Sequence, residues 1–327
     1  MSGADRSGER QAWHAQGWTL PHFPVRVPVP DLTPFLAGNV LPGVWSFAAP
    51  LPGPHVAVVA LIHGNEIAGA AVLARWLHAG LRPECGRLSL IFANLAAFAR
   101  FDPRDPIQSR YVDEDMNRVW ARQVLEGPRR SEELRRAREL LPLLLQVDVL
   151  LDLHSTLWPS APLVLCGETA RARSLALALG TPRDVVADGG HPEGRRLLEH
   201  ARFADPDGKA RALLAEGGQH WEPGTDTVLE QTATRLLTLC GQLPAPARPP
   251  PRGVAWQVTR RVVPRRRDFA FLRPFRGGDV IARRNTLIAL DGEDEIRTPH
   301  DDCLLVLPGQ AALPGQTAVR LARRVTA

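Results

Sequence analysis

The chain has 327 residues, enough for one large domain or two with an ample buried core. Hydrophobic residues make up 44% and charged residues 23%, which is ordinary globular usage. The net charge is +5, but the basic residues are nearly all Arg, with Lys209 the only lysine. No basic block is flanked by aromatic readers, so nucleic-acid binding is set aside.

Cysteines stand at Cys85, Cys166, Cys240 and Cys303, none in a Cys-x-x-Cys pair. Neither a zinc finger nor a disulfide framework is indicated. Free thiols fit a reducing compartment, and the expected location is cytoplasmic. Residues 1–17 are polar, with no apolar signal-peptide core, and no apolar run reaches the length of a membrane span. No membrane partner is expected.

Residues 1–40 read as Pro-rich and irregular, with Trp13 and Trp18 as packing anchors. A short strand is expected over 44–49 and a buried one over 56–62, followed by a tight turn at Gly64 and a helix over 68–80. Residues 87–94 read as a second buried strand. The stretch 101–117 is a long charged loop, and such loops inside compact domains are usually functional or disordered. An amphipathic helix follows over 131–146, with Leu134, Ala137, Leu141 and Leu145 on one face. Strands are expected over 147–153 and 162–166 and a helix over 170–179. Residues 181–209, rich in Gly and Asp, give no clear element. A short strand over 210–215 leads to Glu216-Gly217-Gly218, and a helix covers 225–240.

The run 244–251 is dominated by Pro and favours an extended linker. Beyond it, short apolar runs over 254–259, 279–282, 286–290 and 303–307 indicate a small all-β unit. The alternation of strand and helix before the linker indicates an α/β domain. The expected organisation is an α/β domain over 1–243, a linker over 244–253 and a small β domain over 254–327.

The chemistry gathers around His63-Gly64-Asn65-Glu66, where a strand gives way to a helix. In open α/β sheets such strand ends are where ligands sit. His and Glu are zinc ligands, and a catalytic zinc takes three protein ligands plus a water. His154, at the end of another apolar strand, is the candidate third ligand, with His220 as runner-up. His191 and His200 read as surface residues. Asp152, two before His154, shares its side of a strand, as an orienter of the histidine or simply a polar strand end. From the residues alone, Arg110 and Arg118 read first as a solvated loop cluster with Asp113, Glu114 and Asp115, and Glu216 could simply end a strand.

Taken together and in order, His63-Gly-Asn-Glu66, Arg110, Asp115-Met-Asn117-Arg118, Asp152-Leu-His154 and Ala215-Glu216-Gly217 resemble the succinylglutamate desuccinylase/aspartoacylase family. These are zinc deacylases related to the metallocarboxypeptidases. The resemblance implies a zinc-carboxypeptidase-like α/β/α catalytic domain with a small C-terminal all-β domain. It implies one Zn2+ per chain on His63, Glu66 and His154, and Arg110 polarising the scissile carbonyl. Asn117 and Arg118 would grip a substrate carboxylate, and Glu216 would be the general base that activates water. One departure stands out. Tyr111 is the only tyrosine, whereas characterised aspartoacylases use a tyrosine from the small domain. Gln310, Arg265, Arg266, Arg267, Arg273, Arg276, Arg283 and Arg284 are the substitutes that the small unit offers.

The function expected is hydrolysis of the amide of a small N-acylated, carboxylate-bearing substrate. A metallocarboxypeptidase acting on peptides and a non-catalytic zinc-containing binding protein are the alternatives. The partner is a small-molecule N-acyl substrate; a homo-oligomer stays open.

Overall fold

In the central strands, successive residues such as Val56, Ala57, Val58 and Val59 are all buried. Period-2 geometry sends alternate side chains to opposite faces, so such a run needs a packed layer on both sides. The computed structural model, which describes residues 22–191, 193–245 and 250–326, has this arrangement. Trp13, Trp18 and residues 246–249 lie outside the described residues.

Three parallel strands lie side by side at the centre: β2 (Leu51–Ala60), β4 (Val149–Thr156) and β7 (Arg211–Gln219). β3 (Cys85–Phe92) runs parallel to β2 on its outer side, and β1 (Val44–Ala48) follows antiparallel. Beyond β7 come β5 (Leu163–Cys166), antiparallel to it, then β6 (Asp184–Ala187) and β8 (Val254–Val262), each parallel to its predecessor. The same sheet continues through β14 (Val319–Arg324), β13 (Cys303–Val306) and β10 (Val280–Ile281). Eleven strands among the described residues thus make one mixed sheet. A second, three-stranded sheet is formed by β9 (Ala270–Phe271), β11 (Leu287–Asp291) and β12 (Asp294–Arg297).

Helices cover both faces. On one side, α1 (Ile67–His78), α3 (Ala170–Leu179) and α4 (Thr225–Leu239) pack Leu73, Ala176 and Leu236 into the core of Val56, Val58 and Leu151. On the other, α2 (Glu132–Leu144) packs Leu134 and Leu140 into the core of Ala57, Val59 and Leu150. Truncating such a leucine to Ala costs about 2–5 kcal/mol. α2 starts where the Ser131 hydroxyl accepts from Leu134 N at 3.0 Å, with Glu132 and Glu133 in its first turn. A third core, including Ile288, Leu305 and Leu321, lies in the C-terminal segment. Among the described residues no helix is long and apolar enough to cross a membrane.

The sequence expectations hold for the long elements and shift at their ends. β2 begins at Leu51, because the exposed Leu-Pro-Gly-Pro stretch still belongs to the strand. β6 forms inside the stretch that gave no signal, and β7 runs on through Gly217 and Gly218. β14 carries three arginines in six residues, which hides its strand pattern.

Candidate active site

Chain order brings β2 first, β3 to one side of it and β4 to the other, so the strand order reverses between β2 and β4. A crevice opens at the carboxyl ends of strands at such a switch point. His63 follows β2, His154 lies near the end of β4, and Glu216 lies on β7 directly beside His154 in register. Leu61, just before the turn, has φ 60°, a left-handed conformation that costs a non-glycine residue energy. At Gly64 a side chain is excluded: a Cβ there would lie 2.4 Å from Phe98 N and 2.5 Å from Ser109 O. The same glycine donates its N–H to Arg110 O at 3.0 Å, tying the turn to the charged loop.

That loop is held from beneath by Glu133. Its buried carboxylate accepts from Val112 N at 2.6 Å, Asp113 N at 3.0 Å and Glu114 N at 3.2 Å, and from Asn94 Nδ2 at 3.0 Å. The loop is therefore ordered on α2, and Arg110 and Asp115 are presented to the strand ends. Of the cluster expected from sequence, Asp115 pairs with Arg110 at 3.1 Å, while Glu114 pairs with Arg129 at 2.8 Å and Asp113 accepts from Glu132 N at 2.8 Å.

Glu66, at the N-cap of α1, stands between the two histidines. Its oxygens lie 2.7 Å from His63 Nδ1 and 2.9 Å from His154 Nδ1. The opposite ring nitrogens each face a carboxylate: His63 Nε2 lies 2.9 Å from Asp115 Oδ1, and His154 Nε2 lies 2.8 Å from Asp152 Oδ2. Asp152 thus faces the histidine. All three side chains are buried, and one ligand atom from each lies within 4.8 Å of the others.

This donor set fits a zinc ion. Metal-binding histidines usually donate their second N–H to a carboxylate, which turns the other nitrogen's lone pair inward. Two imidazoles and a carboxylate here converge on one volume, and each imidazole has a carboxylate behind it, while Arg110 Nη2 also meets His63 Nε2. The charge balance agrees. Burial works against ionisation of Glu66, yet His63 and His154 hold its carboxyl well below the usual range. Burial also works against a charged His154, yet Asp152 and Glu66 hold its imidazole well above its ordinary value.

Glu216 lies in the same crevice and differs in kind. It is buried, and its Oε2 has no hydrogen-bond partner among the described residues. Burial pushes its carboxyl up to about 8, against the pull of His154 and Arg110. Arg110 reaches the centre from the loop, with Nη1 3.3 Å from Glu66 Oε1 and Nη2 2.9 Å from His63 Nε2. Asn117 is buried, and its Oδ1 accepts from Leu197 N at 2.9 Å, which fixes the orientation of its amide. Arg118 is anchored by Asn117 O at 2.8 Å and meets only distant carboxylate oxygens, Glu193 at 3.4 Å and Asp115 at 3.8 Å. His220 stays outside the His63–Glu66–His154 cluster: its Nδ1 lies on Ser155 Oγ at 2.7 Å, and burial lowers its pKa to about 4.

Residues 52–180 match the model of the succinylglutamate desuccinylase/aspartoacylase catalytic domain. Over this stretch the chain is similar to the catalytic domain of that family. It is 35% identical over 116 residues to a human N-acyl-aromatic-L-amino acid amidohydrolase (carboxylate-forming), covering 32% of this chain and 34% of that protein. It is 37% identical over 106 residues to a probable aspartoacylase of Parasynechococcus marenigrum strain WH8102, covering 31% of this chain and 33% of that protein. The chain thus aligns with about a third of the length of these curated relatives. In fold it resembles a succinylglutamate desuccinylase from Vibrio cholerae, with a TM-score of 0.69 at 19% identity over 87% of this chain and 86% of that one.

Three residues depart from the sequence reading. His200 is buried, not superficial: its Nδ1 accepts from Arg202 N at 3.2 Å at the start of a short helical turn, Ala201–Ala204. His191 is half-buried and contacts Arg118. The small β unit reaches toward Arg118 with a different arginine from those expected. Arg265 and Arg273 pair with Asp294 and Asp279 on their own unit, and Gln310 donates to Phe275 O. Arg320 instead points from β14 to Asp188 and His191. Its placement in an Arg-rich strand with no turn or glycine signal gave the sequence nothing to mark it.

Proposed function

We propose that the protein is a zinc-dependent deacylase that hydrolyses the amide of a small N-acyl amino acid, releasing a carboxylate and an amine. His63, Glu66 and His154 hold the zinc in this reading. The bound ion supplies Lewis acidity and makes water more acidic at neutral pH. Glu216 takes a proton from the attacking water and delivers it to the leaving nitrogen, so the two half-reactions balance with no other acid or base. Arg110 stabilises the charge that develops on the former carbonyl oxygen. Arg118 and the Asn117 amide bind the substrate carboxylate, where a guanidinium fork matches two oxygens.

One observation carries the reading: the buried Glu216 carboxylate, whose Oε2 has no hydrogen-bond partner among the described residues, lies in register with His154 beside the converging His63–Glu66–His154 cluster. A binding protein has no use for such a group; a hydrolase needs it as a base. The family match supports the deacylase class over a peptidase.

The test is a hydrolysis screen of zinc-loaded protein over N-acetylaspartate, N-succinylglutamate, neutral and aromatic N-acyl amino acids, and short peptides. Turnover of at least one N-acyl amino acid is expected, with N-acetylaspartate a poor substrate because the small unit has no tyrosine donor for a second carboxylate. Activity confined to peptides would replace the reading, and a preference for N-acetylaspartate would refute the specificity.

A further inference from the structure

The segment after Glu216 touches both parts of the chain that carry the converging ligands. β7 brings Glu216 alongside His154 and then breaks step with β4. Between the His154–Glu216 and Thr156–Gln219 pairs, Ser155 alone stands opposite Gly217 and Gly218. An extra residue of this kind kinks a strand and re-aims the side chains that follow. Gly218 supplies a backbone conformation, φ 131°, in which a side chain would be strained. Contact with β4 then resumes through His220 N, which donates to Thr156 O at 2.7 Å.

Two consecutive side chains leave this kink for two different elements. His220 Nδ1 lies 2.7 Å from the Oγ of Ser155, the residue after His154. Trp221 Nε1 donates to Asn65 O at 2.9 Å, inside the turn between His63 and Glu66. Ser155 N in turn donates to Glu66 Oε2 at 3.0 Å. The contacts close into a circuit: Asn65 to Glu66 along the chain, Glu66 to Ser155, Ser155 to His220, His220 to Trp221 along the chain, and Trp221 back to Asn65. All five residues are buried. Opening any link would leave a buried polar group unpaired, so the circuit resists distortion. Trp221 is held at φ 58°, a left-handed conformation that persists only where the surroundings over-determine it. They do so here: Trp221 O accepts from Arg26 N at 3.0 Å, and the Arg26 side chain pairs with Glu222 at 3.2 Å.

We propose that His220 and Trp221 are positioning residues of the candidate metal centre, and that the circuit they complete sets the spacing between the His63–Glu66 turn and His154 before an ion arrives. The inference rests on the zinc reading of those three ligands. His220 lies outside the ligand cluster, and Trp221 offers only a donor, so neither ligates. The strand that carries the base Glu216 thereby also braces the ligands beside it.

The test measures zinc affinity of the folded protein by competition with a chromophoric chelator and, separately, the urea stability of the zinc-free protein. Wild type is compared with His220→Phe, His220→Asn, Ser155→Ala and Trp221→Phe. Removing a group that orients metal ligands typically costs about 10–100-fold in metal affinity, and a loss of that order is expected in His220→Phe and in Trp221→Phe. His220→Asn, whose amide can occupy the place of Nδ1, should recover much of the loss, although it fills the site less well than Phe. Ser155→Ala combined with His220→Phe should cost little more than the larger single loss, because both break the same bond. In cobalt-loaded protein the ligand-field bands, which report ligand geometry, should shift in His220→Phe. If a phenylalanine variant does not fold, Ser155→Ala decides, since it removes only a hydroxyl, and it is expected to weaken zinc binding. Wild-type zinc affinity in the folded variants overturns the proposal and leaves the zinc reading standing, even if zinc-free stability falls. Fully additive losses in the double variant overturn it as well. If wild type takes up no zinc, the zinc reading fails and the positioning role fails with it.

Discussion

Replacing Glu216 by Gln should stabilise the zinc-free protein at alkaline pH while sharply lowering the activity of the zinc-loaded one. The carboxyl is buried with an unpartnered oxygen, and its folded pKa is raised from 4.5 to about 8. Its protonated form is therefore the one the fold favours. That contribution is complete below pH 4.5 and is lost as pH rises through about 8. At roughly 1.4 kcal/mol per pH unit, the gap sets a ceiling on the order of 5 kcal/mol, against a total stability of about 5–15 kcal/mol. Glutamine cannot ionise, so the variant escapes the loss. The assay is urea unfolding of both proteins with a chelator present, between pH 5 and 8.5, with the m-values compared to verify that the same surface is exposed. The stability of the variant relative to wild type should rise by about 2 kcal/mol or more across that range, within the ceiling set by linkage. Zinc should shrink the difference, because a nearby cation favours the carboxylate. In the loaded protein, kcat should fall by about 10²–10⁴-fold. A relative stability that stays flat from pH 5 to 8.5 would refute the assignment of a protonated, buried Glu216.

Purified protein should carry close to one equivalent of zinc by elemental analysis, and His63→Ala and His154→Ala should each lose it; a variant that keeps full occupancy would remove that residue from the ligand set. Arg110→Ala should lower kcat and kcat/KM together, whereas Arg118→Ala should mainly raise KM, and identical profiles would refute that division of roles. Gly64→Ala should destabilise the fold and lower zinc affinity, since the added methyl would meet the backbone of Phe98 and Ser109. Unchanged unfolding and zinc binding in Gly64→Ala would show that the turn can shift at little cost.

The long elements and the strand-end chemistry were legible because both are local. Apolar runs and helical periodicity mark β2, β4, α2 and α4, and His63, Glu66 and His154 sit where those runs stop. The carboxylates behind the histidines were only half legible. Asp152 is two residues from His154, but Asp115 meets His63 across 52 positions of chain. Glu133, which fixes the charged loop, looks in the sequence like an ordinary acidic residue in the first turn of a helix. His191 and Arg320 were missed because their pairing spans 129 positions and joins a strand that was not recognised. A buried arginine has no sequence signature when its counter-charge, here Asp188, lies just past the end of another strand.

The pairing of β8 with β6 bears on how this chain can be cut. Residues 184–187 lie opposite 254–257, and Trp256 Nε1 donates to Asp184 Oδ1 at 2.8 Å. A fragment ending before β8 would leave the backbone N–H and C=O groups of Asp184–Ala187 on that side without their ladder, on a sheet rim that is otherwise apolar. Exposed apolar rims of this kind recruit strands from other molecules. The Pro-rich stretch invites truncation, but a cut there removes the ladder partner of β6.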